Sequence, residues 1–149
     1  MIEIKEKTNC SGCHACAIAC PENCISMIPD EEGFWYPWVN KDMCISCSLC
    51  ENICPIIHKW EPDDSCTTTA MAAVNLNEEI RLNSSSGGIF TLIADMIIDQ
   101  GGVVFGAAFV DDFKSVQHIC VENSVDLEKI RGSKYVQSEI GDTYKQAKG

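Results

Sequence analysis

The 149 residues carry 22 acidic against 11 basic side chains, a net charge of −11, and 46% of them are hydrophobic. That apolar share can bury a core, which argues against a disordered chain, and the charge argues against bare nucleic acid as a partner, since phosphate contacts need cations. Nine of the eleven cysteines lie within residues 1–62, so two zones of different chemistry are expected, 1–62 and 70–149.

The opening, Met1 to Cys10, holds no apolar signal segment. No run is long and apolar enough to span a bilayer. A disulfide scaffold fits an odd cysteine count poorly. The expectation is a cytoplasmic protein with reduced, largely metal-bound thiols. Both zones are acidic, which suits docking on a positively charged redox partner and equally serves plain solubility.

The first zone repeats itself. Cys10, Cys13, Cys16, Cys20 and Pro21 recur 34 residues later as Cys44, Cys47, Cys50, Cys54 and Pro55. Cysteines spaced by two residues let one tight loop present three thiolates to a cubic cluster. The fourth ligand must come from elsewhere, and in the C-x₂-C-x₂-C-x₃-C-P pattern it serves the other cluster. Cys10, Cys13, Cys16 and Cys54 are therefore assigned to one 4Fe–4S cluster. Cys20, Cys44, Cys47 and Cys50 are assigned to a second. Zinc sites use two separated C-x-x-C pairs, which two triple runs do not resemble. Cys24 reads as a spare ligand or as a small buried thiol. His14, inside the first loop, reads as a tuning group or an exposed loop residue.

Between the runs, Cys24–Ile28, the turn Pro29–Gly33 and the run Phe34–Tyr36 predict a β-hairpin. Phe34, Trp35, Tyr36 and Trp38 shield a cluster or simply fill the core. Residues 58–69 read as a linker.

The second zone alternates element types. Ala70–Val74 predicts a short buried strand, and Ser84–Gly88 a loop. Ile89–Asp99 predicts a helix with Ile89, Ile93, Met96 and Ile97 on its buried face. Gly101 and Gly102 stop it. Val103–Phe109 and Val116–Val121 predict strands turned at Asp111 and Asp112. Ser124 is expected to cap a helix running through Arg131, and residues 139–148 to form a last one. The pattern is α/β and looks unfinished, since another strand is expected where the chain stops.

Residues 1–57 resemble the bacterial two-cluster ferredoxins. Arg81–Phe90, with Ser84-Ser85-Ser86-Gly87-Gly88 inside it, and Arg131–Ser138 resemble the N-terminal part of the coenzyme F-420 hydrogenase/dehydrogenase beta-subunit family. The resemblance implies an α+β chain: a ferredoxin-like two-cluster domain at 1–62, then an incomplete α/β domain at 70–149. It implies electron transfer between the clusters, an FAD completed by a further domain and, in many members, a deazaflavin coenzyme. The implied partner is a redox protein or a flavin domain. Ser85, Ser86, Gly87 and Gly88, at a helix N-terminus, then face a flavin pyrophosphate, where free N–H groups and the helix dipole favour an anion. Without the resemblance the same loop reads as an ordinary cap. Lys134 is expected at the cofactor; Lys129 and Arg131 are expected to sit at a helix end for dipole reasons. Two rival readings are a freestanding ferredoxin-like carrier with an accessory domain, and a structural metal protein.

Overall fold

The computed structural model describes residues 1–59, 68–110 and 112–148. They fall into two compact units, Met1–Cys66 with Tyr144–Gly149, and Thr67–Thr143. Most of the expected linker lies outside the described residues.

The sequence repeat is also a structural repeat. A single 3-10 turn at Lys7–Asn9 leads to a short helix, α1 (Ala15–Ile18). The same pair returns at the 34-residue offset, as a turn at Lys41–Met43 and helix α2 (Leu49–Asn52). Between the copies, β1 (Ile25–Pro29) and β2 (Trp35–Val39) form the expected hairpin, antiparallel from Ile25 opposite Val39 to Pro29 opposite Trp35. Asp30 shapes its turn by accepting the N–H groups of Glu32 and Phe34 at 3.0 and 3.1 Å. Pro37 lacks a donor but sits on a two-stranded ribbon, where each strand is an edge. The buried core of this unit is Ile2, Cys16, Cys24, Ile25, Cys50 and Cys54. Four of those six are cysteines, so the core is built largely from thiols.

In the second unit, α3 (Glu78–Leu82) begins where Asn77 Oδ1 accepts the Ile80 N–H at 3.2 Å. Sequence reasoning passed over it, although Asn followed by two Glu is a helix-start signature. Helix α4 (Ile89–Asp99) has the expected bounds and stops at Gly101, whose φ of 79° suits a residue without a side chain. Strands β3 (Val104–Val110) and β4 (Ser115–Val121) pair antiparallel, Val104 opposite Val121 through Val110 opposite Ser115. The short helix α5 (Leu127–Ile130) follows, and the last helix, α6 (Thr143–Lys148), belongs from Tyr144 onward to the first unit. Ala94, Ala108, Val121, Leu127 and Ile130 form the core of the second unit.

Four expectations for residues 70–149 are corrected. Ala70–Val74 is no strand: it is exposed, and no described strand lies beside it to complete a ladder. Helix α4 buries Thr91 and Ala94, with Ile98 packed beside them, while Ile93, Met96 and Ile97 stay exposed. This helix is apolar on several sides, so periodicity offers more than one stripe. Ala94 packs into one core cluster with Ala108, and the Thr91 hydroxyl accepts from Arg131 Nε, so partners elsewhere in the chain select that face. Asn123, not Ser124, organises the start of α5: its Oδ1 accepts the Asp126 N–H at 2.9 Å, and the helix ends before Arg131. The last helix starts only at Thr143, because Glu139 is spent alongside β4. The His118 N–H donates to the Glu139 carbonyl at 2.8 Å, and the Glu139 N–H to that of Val116 at 2.9 Å.

Among the described residues, no helix is long and apolar enough to cross a membrane.

Candidate metal centre

Each cysteine loop is bent the same way. Gly12 and His14 take left-handed φ values of 62°, and their repeat partners Ser46 and Ser48 take 55° and 61°. For His and Ser that conformation costs about 1–2 kcal/mol each, so the loops are not shaped for their own stability. Left-handed residues in such loops build concave nests of N–H groups, which suit anions such as iron–sulfur clusters. Cys16 and Cys50 sit buried on α1 and α2. One turn on, the Cys20 N–H donates to Ala17 O at 3.3 Å and the Cys54 N–H to Glu51 O at 3.2 Å. Pro21 and Pro55 follow and cannot continue either helix.

Two cavities collect these thiols. One is lined by Cys10, Cys13, Cys16 and Cys54. The other is lined by Cys20, Cys44, Cys47 and Cys50, with Cys24 as a fifth sulfur. Each fourth cysteine thus lines the cavity of the other run. Among the described residues, no three His, Cys, Asp or Glu gather tightly enough to hold a single ion. A cube spreads its ligands around itself, and four soft thiols about one cavity are its donor set. Burial pushes the Cys16 thiol up to about 12, and the neighbouring Cys13 sulfur adds to the shift. Metal binding must displace that proton. Cys47 is the exposed member of the set. Cys24 Sγ lies 3.3 Å from Cys20 Sγ.

The aromatic residues of the hairpin are not a sealed shield. Phe34 and Trp38 are about half exposed, whereas Trp35 packs at a tilt against His14, ring centres 5.9 Å apart.

In the second unit, Ser85, Ser86, Gly87 and Gly88 line a cavity of about 190 Å³ with Arg131 and Gly132. The two distant sequence segments therefore meet. Arg131 Nε donates to Thr91 Oγ1 at 3.1 Å. Lys134 is not among the lining residues. Its ammonium donates to the carbonyls of Lys129, Arg131 and Gly132 at 3.2, 2.9 and 3.0 Å, and burial lowers its pKa.

Asn75 holds the loop, and sequence reasoning did not single it out. Its Nδ2 donates to Gly88 O at 3.2 Å, its Oδ1 accepts the Asn77 N–H at 2.9 Å, and its own N–H donates to Gly87 O at 2.7 Å. The glycines permit this closeness: a Cβ on Gly87 would stand 2.5 Å from the Ala73 carbonyl oxygen. Asn75→Ala is expected to destabilise the second unit by about 1–3 kcal/mol, the cost of stranding buried partners. Urea unfolding followed by far-UV circular dichroism measures it, and an unchanged midpoint would count against this role.

The fold and site of the first unit define a class. Residues 9–56 match the 4Fe-4S dicluster domain family, an iron–sulfur electron-transfer unit. The chain is also similar to the uncharacterized protein MJ1349 of Methanocaldococcus jannaschii, at 24% identity over 160 aligned positions. That match covers 90% of this chain and 44% of the relative, so the chain spans less than half of the relative's length.

Proposed function

We propose that this chain relays single electrons through two 4Fe–4S clusters, between a redox partner protein and a flavin. One cluster is held by Cys10, Cys13, Cys16 and Cys54, and the other by Cys20, Cys44, Cys47 and Cys50. The observation carrying this reading is the pair of cavities, each lined by four thiols, three from one run and one from the other. Each cluster supplies a one-electron couple when bound. The chain's own residues set its surroundings: the bent loops supply N–H groups, and the buried Cys16 and Cys50 hold one side away from water. Both are levers on potential. Cys47 gives the second site an edge at the surface.

The flavin part of the proposal rests on the family resemblance and on the cavity that joins Ser85–Gly88 to Arg131. In this reading Arg131, which lines that cavity, serves as the cation for a pyrophosphate, while the Lys134 ammonium binds the carbonyls of Lys129, Arg131 and Gly132.

Anaerobic reconstitution followed by FAD titration tests both parts. About eight irons and eight sulfides per chain are expected, four of each per cube. FAD is expected to bind residues 1–149 weakly, and to be retained by a version extended to the relative's length. A folded, colourless, zinc-only protein under iron-replete reducing conditions would overturn the cluster assignment. Tight stoichiometric FAD on residues 1–149 would overturn the idea of a shared flavin site.

A further inference from the structure

The two cavities are not equivalent. The first is lined by four thiols, the second by five. The extra one, Cys24, is buried, with 4% of its surface exposed. Its position in the repeat corresponds to His58, so no thiol takes this place in the other copy. Cys24 shares a thiol hydrogen bond with one ligand of the second site, Cys20, at 3.3 Å between sulfurs, and either sulfur can donate. Only three residues separate the two along the chain, so the pair stays together even when the surrounding loop loosens. The same cavity carries Cys47, the exposed cysteine of the set, so small oxidants reach this site more readily.

We propose that Cys20 and Cys24 form a reversible disulfide when a peroxide strips the second site of its cluster, and that the bond preserves Cys20 for refilling. The inference rests on the two-cluster reading above. With the site empty, the Cys20 sulfur attacks one peroxide oxygen. The O–O bond breaks, Cys20 becomes a sulfenic acid, and one water leaves. The Cys24 sulfur then attacks that sulfenic sulfur. The S–S bond forms, the hydroxyl departs with the Cys24 proton, and a second water leaves. Two thiols lose two electrons and two protons, and one peroxide takes them up. Without a nearby thiol, the sulfenic acid goes on to sulfinic acid, which dithiols do not reverse.

The test begins with the reconstituted protein, whose iron content is measured first. A starting value far below about eight irons would be a failure of the two-cluster reading, separate from this proposal. Hydrogen peroxide is then added in steps under anaerobic conditions, free thiols are alkylated, and the protein is cut with a protease that cleaves after glutamate. Glu22 lies between Cys20 and Cys24, so the two fragments stay joined only by a disulfide. As iron falls toward about four per chain, joined fragments are expected, with tandem fragmentation placing the bond at Cys20 and Cys24. After dithiothreitol, iron and sulfide, the wild type is expected to return to its starting iron, while Cys24→Ser stays near half. Cys20 joined to Cys44, Cys47 or Cys50, Cys20 oxidised alone, or full recovery by Cys24→Ser would each overturn the proposal.

Discussion

A Cys13→Ala, Cys54→Ala double variant is expected to keep about four irons and one whole 4Fe–4S cluster, whereas Cys47→Ala, Cys54→Ala is expected to keep neither cluster whole. Both are best made with Cys24→Ser, so that Cys24 cannot stand in for a missing ligand. The logic follows from the two cavities. Cys13 and Cys54 line the same one, so losing both empties one site and leaves the other complete. Cys47 and Cys54 line different ones, so that pair leaves three thiols in each. If each run instead bound its own cluster, the outcomes would swap. Iron analysis with electron paramagnetic resonance of the reduced samples reads the difference.

Chelating both clusters under reducing conditions is expected to unfold the first unit. Among the described residues its buried core holds two large apolar side chains, Ile2 and Ile25, beside four cysteines, with Ile4, Met27 and Val39 only partly buried against it. Each isoleucine contributes about 1.5–3 kcal/mol on burial, far less than the backbone entropy of ordering the unit. Helices α1 and α2 have four residues each, much too short to stand without tertiary support. The metal bonds therefore supply what the core lacks, and folding and cluster assembly become one event. Hydrogen exchange should show amide protection across β1, β2, α1 and α2 collapsing on chelation and returning with iron and sulfide. Protection of the hairpin that survives chelation would show that the core suffices.

Much of the first unit was legible because its information is local. A loop that presents three thiols needs them at fixed short spacing, and a repeat with a constant 34-residue offset predicts that whatever one copy builds, the other builds too. The hairpin was legible from its turn residues and β-branched or aromatic flanks. In the second unit, α4, β3 and β4 were legible for the same reason, since their period and their glycine stop lie within a dozen residues. The errors fall where a choice depended on a partner elsewhere. Ala70–Val74 is an apolar run, but no strand lies beside it among the described residues. Ile93 and Met96 are better hydrophobes than Thr91 and Ala94, yet the smaller pair faces inward, Ala94 into the cluster with Ala108 and Thr91 onto Arg131.

By itself, the sequence determined the ligand chemistry: eight cysteines in two spaced runs, of a type and number that iron–sulfur clusters need and zinc does not. It did so because coordination chemistry acts on spacing along a few residues. The tertiary structure alone decided what meets across distance. It set Cys24 against Cys20 within a cavity that also holds the second run. It brought Arg131 to the Ser85–Gly88 loop and made Asn75 the clasp of that loop. These contacts join residues from 4 to about 40 positions apart. They arise from packing, where the shape of one surface must fit another, and no local pattern encodes that fit.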